Sequence, residues 1–423
     1  MNKIKCERQV KSPYTYIEDI EAEHNIEDIV VEHRSNNAKR DFLFVNKSQC
    51  KHIPNSPTKM LEMCNKLASE VRVTIKDSCT SSDNVLIVGF AETATAIGEF
   101  VAENLHYTTI TNVYLTQTTR ESVNETKEIL NFEEEHSHAT THKLLERSNE
   151  SIDLNMFKYI LFVEDEITTG NTILNFVNAM REQFDGMKNT GFGVASICNW
   201  QDLNEARKFE RNCIDTFCLI HGELHDLSVK MLDHTYLRVV EQERVIKEPK
   251  PYIKKLEYPY ECQYQLRPNN FVEQRTINKF DDICEEKYSR FNDEFTTGLA
   301  EYIHNTLKAN SYRIIGTEEF MGLPIRVGQE LESLGAMVIC QATTRSKIDV
   351  LNTKYDGESS GIKKRYQVPS AYDYDRENYI YNLSEYTHAV VIISDTPDEY
   401  KLSMLALAIG ELVSTSKIAY IKL

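Results

Sequence analysis

The stretch Tyr159–Thr172, YILFVEDEITTGNT, sets an apolar run, two adjacent acids and a turn of small residues in one line. Tyr159–Val163 (YILFV) has no polar alternation, the pattern of a parallel strand covered on both faces. Glu164 and Asp165 are expected at its carboxyl end. Thr168, Thr169, Gly170, Asn171 and Thr172 then form a loop leading into a helix, because Ile173, Val177, Met180 and Phe184 recur at helical spacing. Hydroxyl side chains and a glycine let the backbone approach an anion closely. A helix N-terminus turns free N–H groups and a positive dipole end toward it. The loop therefore predicts a monophosphate cradle. The acids beside it are placed to hydrogen-bond vicinal sugar hydroxyls or to help hold a divalent cation. No Gly-Lys-Ser/Thr follows, so this is not a Walker-type loop. A plain capped helix with Thr168 or Thr169 as N-cap would leave the two acids unexplained.

Outward from this stretch, short apolar runs alternate with amphipathic ones, which predicts an α/β fold. Further strands are expected at Val85–Gly89, Val113–Thr116 and Gly193–Ile197, then at Arg313–Ile315, Met337–Gln341, Ala389–Ser394 and Ile418–Ile421. Residues 246–270 hold Pro249, Pro251, Pro259 and Pro268 and read as a linker or extended arm. Residues 271–309 read as helical. The expected division is 1–230 for a first α/β domain, 231–300 for a Pro-rich and helical connector, and 301–423 for a second, Rossmann-like α/β domain.

The chain has 423 residues, enough for two or three domains with cores of their own. Its 48 Lys and Arg stand against 65 Asp and Glu, a formal charge of −17 that speaks against a nucleic-acid partner. The N-terminal stretch lacks a signal-peptide core, and no run approaches a membrane span. The ten cysteines form no CxxC pair, so zinc and thiol-redox motifs are unsupported; reduced thiols in a cytoplasmic protein are expected.

Strand ends elsewhere carry polar turns. Val85–Gly98 (VLIVGFAETATAIG) passes through Ala91, Glu92, Thr93, Ala94 and Thr95 into a helix. Tyr114–Glu121 (YLTQTTRE) ends in Thr118, Thr119 and Arg120, and Phe132–Thr140 (FEEEHSHAT) holds His136 and His138. Phe42–Pro57 contains Lys51 and His52. In the second half the turns are Gly316-Thr317-Glu318-Glu319, Thr343-Thr344-Arg345-Ser346 and one around Asp395. In an open parallel sheet such turns converge on one crevice. That crevice is either a second ligand site, with Arg345 suited to phosphate or carboxylate, or the capped face of a hood or dimerisation domain. Tyr372, Tyr374, Tyr379, Tyr381 and Tyr386 read as a packed interface more readily than as base-stacking residues.

The acid–loop stretch resembles the phosphoribosyl-diphosphate signature of type I phosphoribosyltransferases. GFAETATAIG, TTRE, FEEEHSHAT and FVEDEITTGNTI together resemble the orotate phosphoribosyltransferase-like family that carries a C-terminal TRSP domain. GTEEFMGLP, QATTRS and RYQVPSAYDYDRENYIY resemble that domain's motifs, with Lys347 where the name-giving motif has proline. The resemblance spans nearly the whole chain apart from the first 35 residues and the middle. It implies a type I phosphoribosyltransferase fold and displacement of pyrophosphate from Mg²⁺-bound phosphoribosyl diphosphate by a nitrogen of a base or related acceptor. Under it, Glu164 and Asp165 meet the ribose hydroxyls and, through the substrate, Mg²⁺. Thr168 to Thr172 hold the 5′-phosphate, and Ala91 to Thr95 lie by the pyrophosphate. Arg120 at its strand end supplies positive charge for the leaving pyrophosphate, and His136 or His138, on a mobile loop, donates to it or to a base. Lys51 and His52 are either base-side residues or a surface turn, and the histidine pair is either functional or a solvated surface pair. The resemblance further implies a homodimer and an association with tellurium-resistance and stress gene clusters. A non-catalytic regulator, a bifunctional enzyme and ordinary nucleobase salvage are the competing readings.

Overall fold

Uninterrupted apolar runs form parallel strands here because both of their faces are covered by helices or loops. The computed structural model describes residues 4–6, 10–11, 15–22, 26–34, 42–109, 111–132, 142–226, 252–258, 270–285, 291–350, 361–383, 389–413, 415 and 417–423. In the first sheet, five parallel strands stand in the order Ile214–Asp226, Gly191–Asn199, Phe157–Ile167, Asn84–Gly89 and Asn112–Gln117. Thr15–Ala22 adds an antiparallel strand at one edge and Asn278–Lys279 another at the far edge. The second sheet is parallel throughout: Ile253–Lys255, Ile418–Lys422, Ala389–Ser394, Ser311–Gly316 and Met337–Ala342. The fold is thus α/β in both halves, as predicted.

Three local expectations need correction. The strand carrying the acids runs past them to Ile167, because Glu164 and Glu166 still pair in register with Ser196 and Cys198 of the next strand. The helix after it, Asn171–Gln183, buries Ile173, Phe176, Val177 and Met180, and Phe184 follows in extended conformation. Residues 271–309 are not one helix. Asn270–Arg275, Phe280–Glu285 and Asp293–Leu307 are separated by the Asn278–Lys279 strand and other non-helical residues. Part of the Pro-rich arm is also ordered, since Ile253–Lys255 is the edge strand of the second sheet.

The two halves share a core. Met60, Leu67 and Phe100, from the helices Pro57–Ser78 and Thr95–Thr108, belong to one apolar cluster with Leu323 and Val327 of the helix Gly322–Ser333 and with Val391. A second cluster covers the opposite face of the first sheet, with Phe90, Phe162, Phe176 and Phe192 at its centre. Where the first sheet meets its helix the approach is close. A Cβ on Gly98 would stand 2.9 Å from the Gly89 Cα, with backbone that cannot swing aside. Gly98→Ala is expected to lower stability by about 1–3 kcal/mol, the usual range for overpacking, read by denaturant unfolding of the full chain.

Candidate functional site

In the first sheet the chain order reverses between Asn84–Gly89 and Phe157–Ile167. Open α/β sheets bind ligands in the crevice beyond the carboxyl ends at such a reversal. Here the turns are hydrogen-bonded to one another. The Phe90 N–H donates to the Val163 carbonyl (2.9 Å), and the Ala91 N–H donates to Thr118 Oγ1 (2.9 Å). The Thr93 hydroxyl donates to Asp165 Oδ1 (2.9 Å), and Gln49 Nε2 donates to the Thr93 carbonyl (2.7 Å). The Ala91–Glu92 peptide is cis. Successive strand side chains leave on opposite faces. Asp165 therefore follows Leu161 and Val163 toward the core shared by both halves, and Glu164 follows Ile160 and Phe162 toward the other.

The Thr168–Thr172 loop takes its shape from Gly170, which is the helix N-cap at φ 70° and brings no capping side chain. Its left-handed backbone suits glycine, and a Cβ there would lie 2.4 Å from the Phe209 ring. Gln201 Nε2 braces the loop from the same side by donating to the Thr169 carbonyl (3.2 Å). The threonine N-cap of the plainer reading is not formed, since Gly170 holds that position, although the Thr169 hydroxyl accepts the Asn171 N–H at 3.4 Å. Behind the loop lies a pocket of about 550 Å³ lined by Gln201, Phe209, Cys213, Thr216 and His221.

The second sheet also reverses its order, between Ser311–Gly316 and Ala389–Ser394, and its strand-end turns do converge. Thr317 Oγ1 lies 2.8 Å from Ser394 Oγ, and the Glu318 N–H donates to Thr343 Oγ1 (3.1 Å). The Ser346 N–H donates to Thr344 Oγ1 (3.1 Å). These turns face the first crevice across a buried net of charges. Lys51 Nζ lies 2.8 Å from Glu92 and also donates to the carbonyls of Glu318 and Thr343. Arg345 meets Glu318 (2.9 Å), Glu92 (3.6 Å), Glu319 (3.6 Å) and Glu121. Arg376 joins Glu318 (2.8 Å) to Glu121. Arg275, from the connector, is fully buried between Glu319 (3.1 Å) and Asp395 (2.7 Å), with the Phe271 ring 4.2 Å from its guanidinium carbon.

Burial acting alone would raise the Glu92 pKa, but Lys51 and Arg345 outweigh it and hold it at about 2. Burial likewise opposes ionisation of Glu319, and Arg275 and Arg345 again overcome it. Two histidines go the other way. Burial, then the nearby Lys51, takes His52 down to about 3; burial, then Arg120, does the same to His142. Both rings are therefore neutral at pH 7. His142 Nε2 lies 3.3 Å from Arg120 Nη2, and arginine only donates, so Nε2 accepts and Nδ1–H donates to Thr118 Oγ1 at 3.1 Å.

Comparison with protein families now bears on this geometry. Residues 31–223 match a family model described as phosphoribosyl transferase, and residues 284–409 match the TRSP domain, described as the C terminus to that same family. Residues 31–223 belong to this phosphoribosyl transferase family, and residues 284–409 to the TRSP domain that follows it. Solved structures similar to the transferase domain include adenine phosphoribosyltransferase from Trypanosoma brucei, at 14% identity and TM-score 0.31, covering 45% of this chain and 76% of that one. The enzyme from Giardia lamblia is 15% identical at TM-score 0.31, over 46% of this chain and 93% of its own. Orotate phosphoribosyltransferase from Aeropyrum pernix is 11% identical at TM-score 0.24, over 38% and 71%. A comparison with curated proteins returns no match.

Of the residues picked from sequence, Glu92, Thr93 and Arg120 stand on turns, and Asp165 on the Phe157–Ile167 strand, that are bonded into one assembly in the transferase domain. Lys51 is not on a surface turn: it is 1% exposed and links Glu92 to the TRSP domain. His136 and His138 lie outside the described residues, on the segment between the paired strands Thr126–Phe132 and His142–Arg147. Tyr386 also lies outside them, whereas Tyr372 is half-buried with its hydroxyl on Asp395. Sequence reasoning passed over His142, Glu121, Gln274, Arg275 and Arg376. His142, Glu121 and Arg376 were within reach, since the first follows the two histidines already noted and the others lie in the motifs TTRE and RYQVPSAYDYDRENYIY; Gln274 and Arg275 have no local signal.

Two outcomes are expected. Arg275→Ala leaves Glu319 and Asp395 uncompensated in the interior and should cost about 3–5 kcal/mol, measured by denaturant unfolding. The neutral histidines give a pH dependence of definite sign. Between the unfolded value of 6.5 and the folded value of about 3, the unfolded chain binds more protons, so stability falls as pH drops through this window. Each ring contributes up to about 1.4 kcal/mol per pH unit. In urea melts from pH 6 to pH 5, His142→Gln should flatten that slope by roughly half the histidine contribution.

Proposed function

We propose that this chain transfers 5-phosphoribose from phosphoribosyl diphosphate to a nitrogen of a base or related acceptor, with release of pyrophosphate. The observation that carries the reading is the Thr93–Asp165 hydrogen bond. It ties the turn after the Asn84–Gly89 strand to the acid strand, beside a helix N-terminus shaped by Gly170. In this reading the backbone N–H groups of Thr168 to Thr172 hold the 5′-phosphate. Asp165 and Glu164 take the ribose hydroxyls, with Asp165 exchanging the Thr93 hydroxyl for a sugar hydroxyl. Arg120, held by neutral His142 without loss of its charge, faces the leaving pyrophosphate, as do Ala91 to Thr95. Transfer of this kind depends on anchoring the sugar phosphate, stabilising the leaving group and excluding water, more than on covalent help from the protein.

Mg²⁺ suits the donor set: Glu164 and Asp165 are carboxylates at a strand end, and Mg²⁺ binds through one or two carboxylates together with water and substrate phosphates. When bound, it would supply charge to the diphosphate. The TRSP strand ends, where the described arginines are engaged by carboxylates, favour a supporting role over a second ligand site. The same proposal makes the protein a cytoplasmic homodimer. The free thiols among the described cysteines support a reducing compartment, and light scattering reads the dimer. No helix among the described residues is long and apolar enough to cross a membrane.

Isothermal titration with Mg²⁺ and phosphoribosyl diphosphate should show binding that Asp165→Asn with Thr169→Ala weakens by roughly tenfold or more. Unchanged binding in the double variant sinks the site assignment. Pyrophosphate release across a panel of bases then identifies the acceptor, and silence across the panel points to a binding protein without turnover.

A further inference from the structure

We propose that Glu319, a carboxylate of the TRSP domain, is a positioning residue for the leaving-group side of the transferase site, an inference that rests on the function proposed above. Glu319 is 1% exposed and sits on the turn after the Ser311–Gly316 strand. Its Oε2 accepts the Thr119 hydroxyl at 2.8 Å, and its Oε1 accepts the Arg120 backbone N–H at 3.3 Å. Its own carbonyl accepts the Thr95 hydroxyl at 2.8 Å, at the start of the helix that follows the Ala91–Thr95 turn. The same carbonyl accepts Gln274 Nε2 at 3.1 Å. One residue of the second domain thus fastens both turns that face the pyrophosphate. It holds Arg120 by the backbone, while the guanidinium is turned to the uncharged ring of His142. Arg275 and Arg345 stand behind the carboxylate and fix it in place.

The 5′-phosphate loop is held differently. Gln201 and Phe209, both from the transferase domain, brace Thr169 and Gly170. The two halves of the substrate are therefore gripped by parts anchored in different domains. Loosening Glu319 should affect the pyrophosphate half and spare the ribose 5-phosphate half, a split that general loss of structure would not produce.

The test uses the full chain with Mg²⁺ and three probes: phosphoribosyl diphosphate, inorganic pyrophosphate and ribose 5-phosphate, each titrated calorimetrically. Glu319→Gln leaves Arg275 short of one buried counter-charge and puts folding at risk, so Thr119→Val is run beside it; at nearly constant volume it removes the hydroxyl that donates to Glu319 and accepts the Glu121 N–H. Thr119→Ser is the rescue. Thr119→Val is expected to weaken phosphoribosyl diphosphate and pyrophosphate by roughly tenfold, the worth of one hydrogen bond to a charged group. Ribose 5-phosphate affinity should hold, and Thr119→Ser should behave as the parent chain. Equal losses on all three probes, or no loss on any, overturn the inference. A parent chain that binds none of the three removes the proposed function itself, and this inference with it.

Discussion

Buried carboxylates and guanidiniums meeting between the two sheets are the constraint on which the rest of this molecule depends. Arg275 lies between Glu319 and Asp395, Lys51 lies on Glu92, and Arg345 and Arg376 draw Glu121 and Glu318 together. Charges removed from water are tolerated only when they are paired, and stripping one partner leaves the other stranded at several times the worth of a surface pair. Glu92 and Lys51 belong to the transferase domain, Glu319 and Arg345 to the TRSP domain, and Arg275 to the segment between them. Arg275 of the connecting segment finds both its partners in the TRSP domain, and Glu121 of the transferase domain finds Arg345 and Arg376 there. The strand ends of both sheets are consequently held face to face, and the transferase turns inherit their positions from that docking.

Much of the fold was legible in the sequence because its physics is local. A run such as YILFV or AVVIIS becomes a parallel strand for want of any polar face, and the alternation with helices follows. The acid pair and the small-residue loop were readable for the same reason: they are contiguous. The setting of Gly170 was not, since Phe209 and Gln201 press on the loop there from a later helix and strand end. Nor was the reach of the acid strand, which is set by pairing with Ser196 and Cys198.

The charge net was hidden altogether. Arg275 finds its partners 44 and 120 residues away, Thr119 bonds across 200 residues, and Lys51 across 267. No window of sequence carries such pairings, and an isolated arginine in an amphipathic helix reads as surface. The formal charge of −17 concealed them in a second way, since an excess of acids on the whole chain says nothing of a balanced cluster inside it. Turns that seemed to offer Arg345 to a ligand instead present it to glutamates.

The core that runs unbroken from the Pro57–Ser78 and Thr95–Thr108 helices into the second sheet has a consequence for how such a protein changes over generations. Where Gly328 of the TRSP helix stands, a Cβ would come within 3.3 Å of the Pro57 ring, and within 2.5 Å of Cys340 Sγ. A gain in bulk on one side has to be answered by a loss on the other. The two domains should therefore drift as a matched pair, and a TRSP domain transplanted from a distant relative would arrive with the wrong surface.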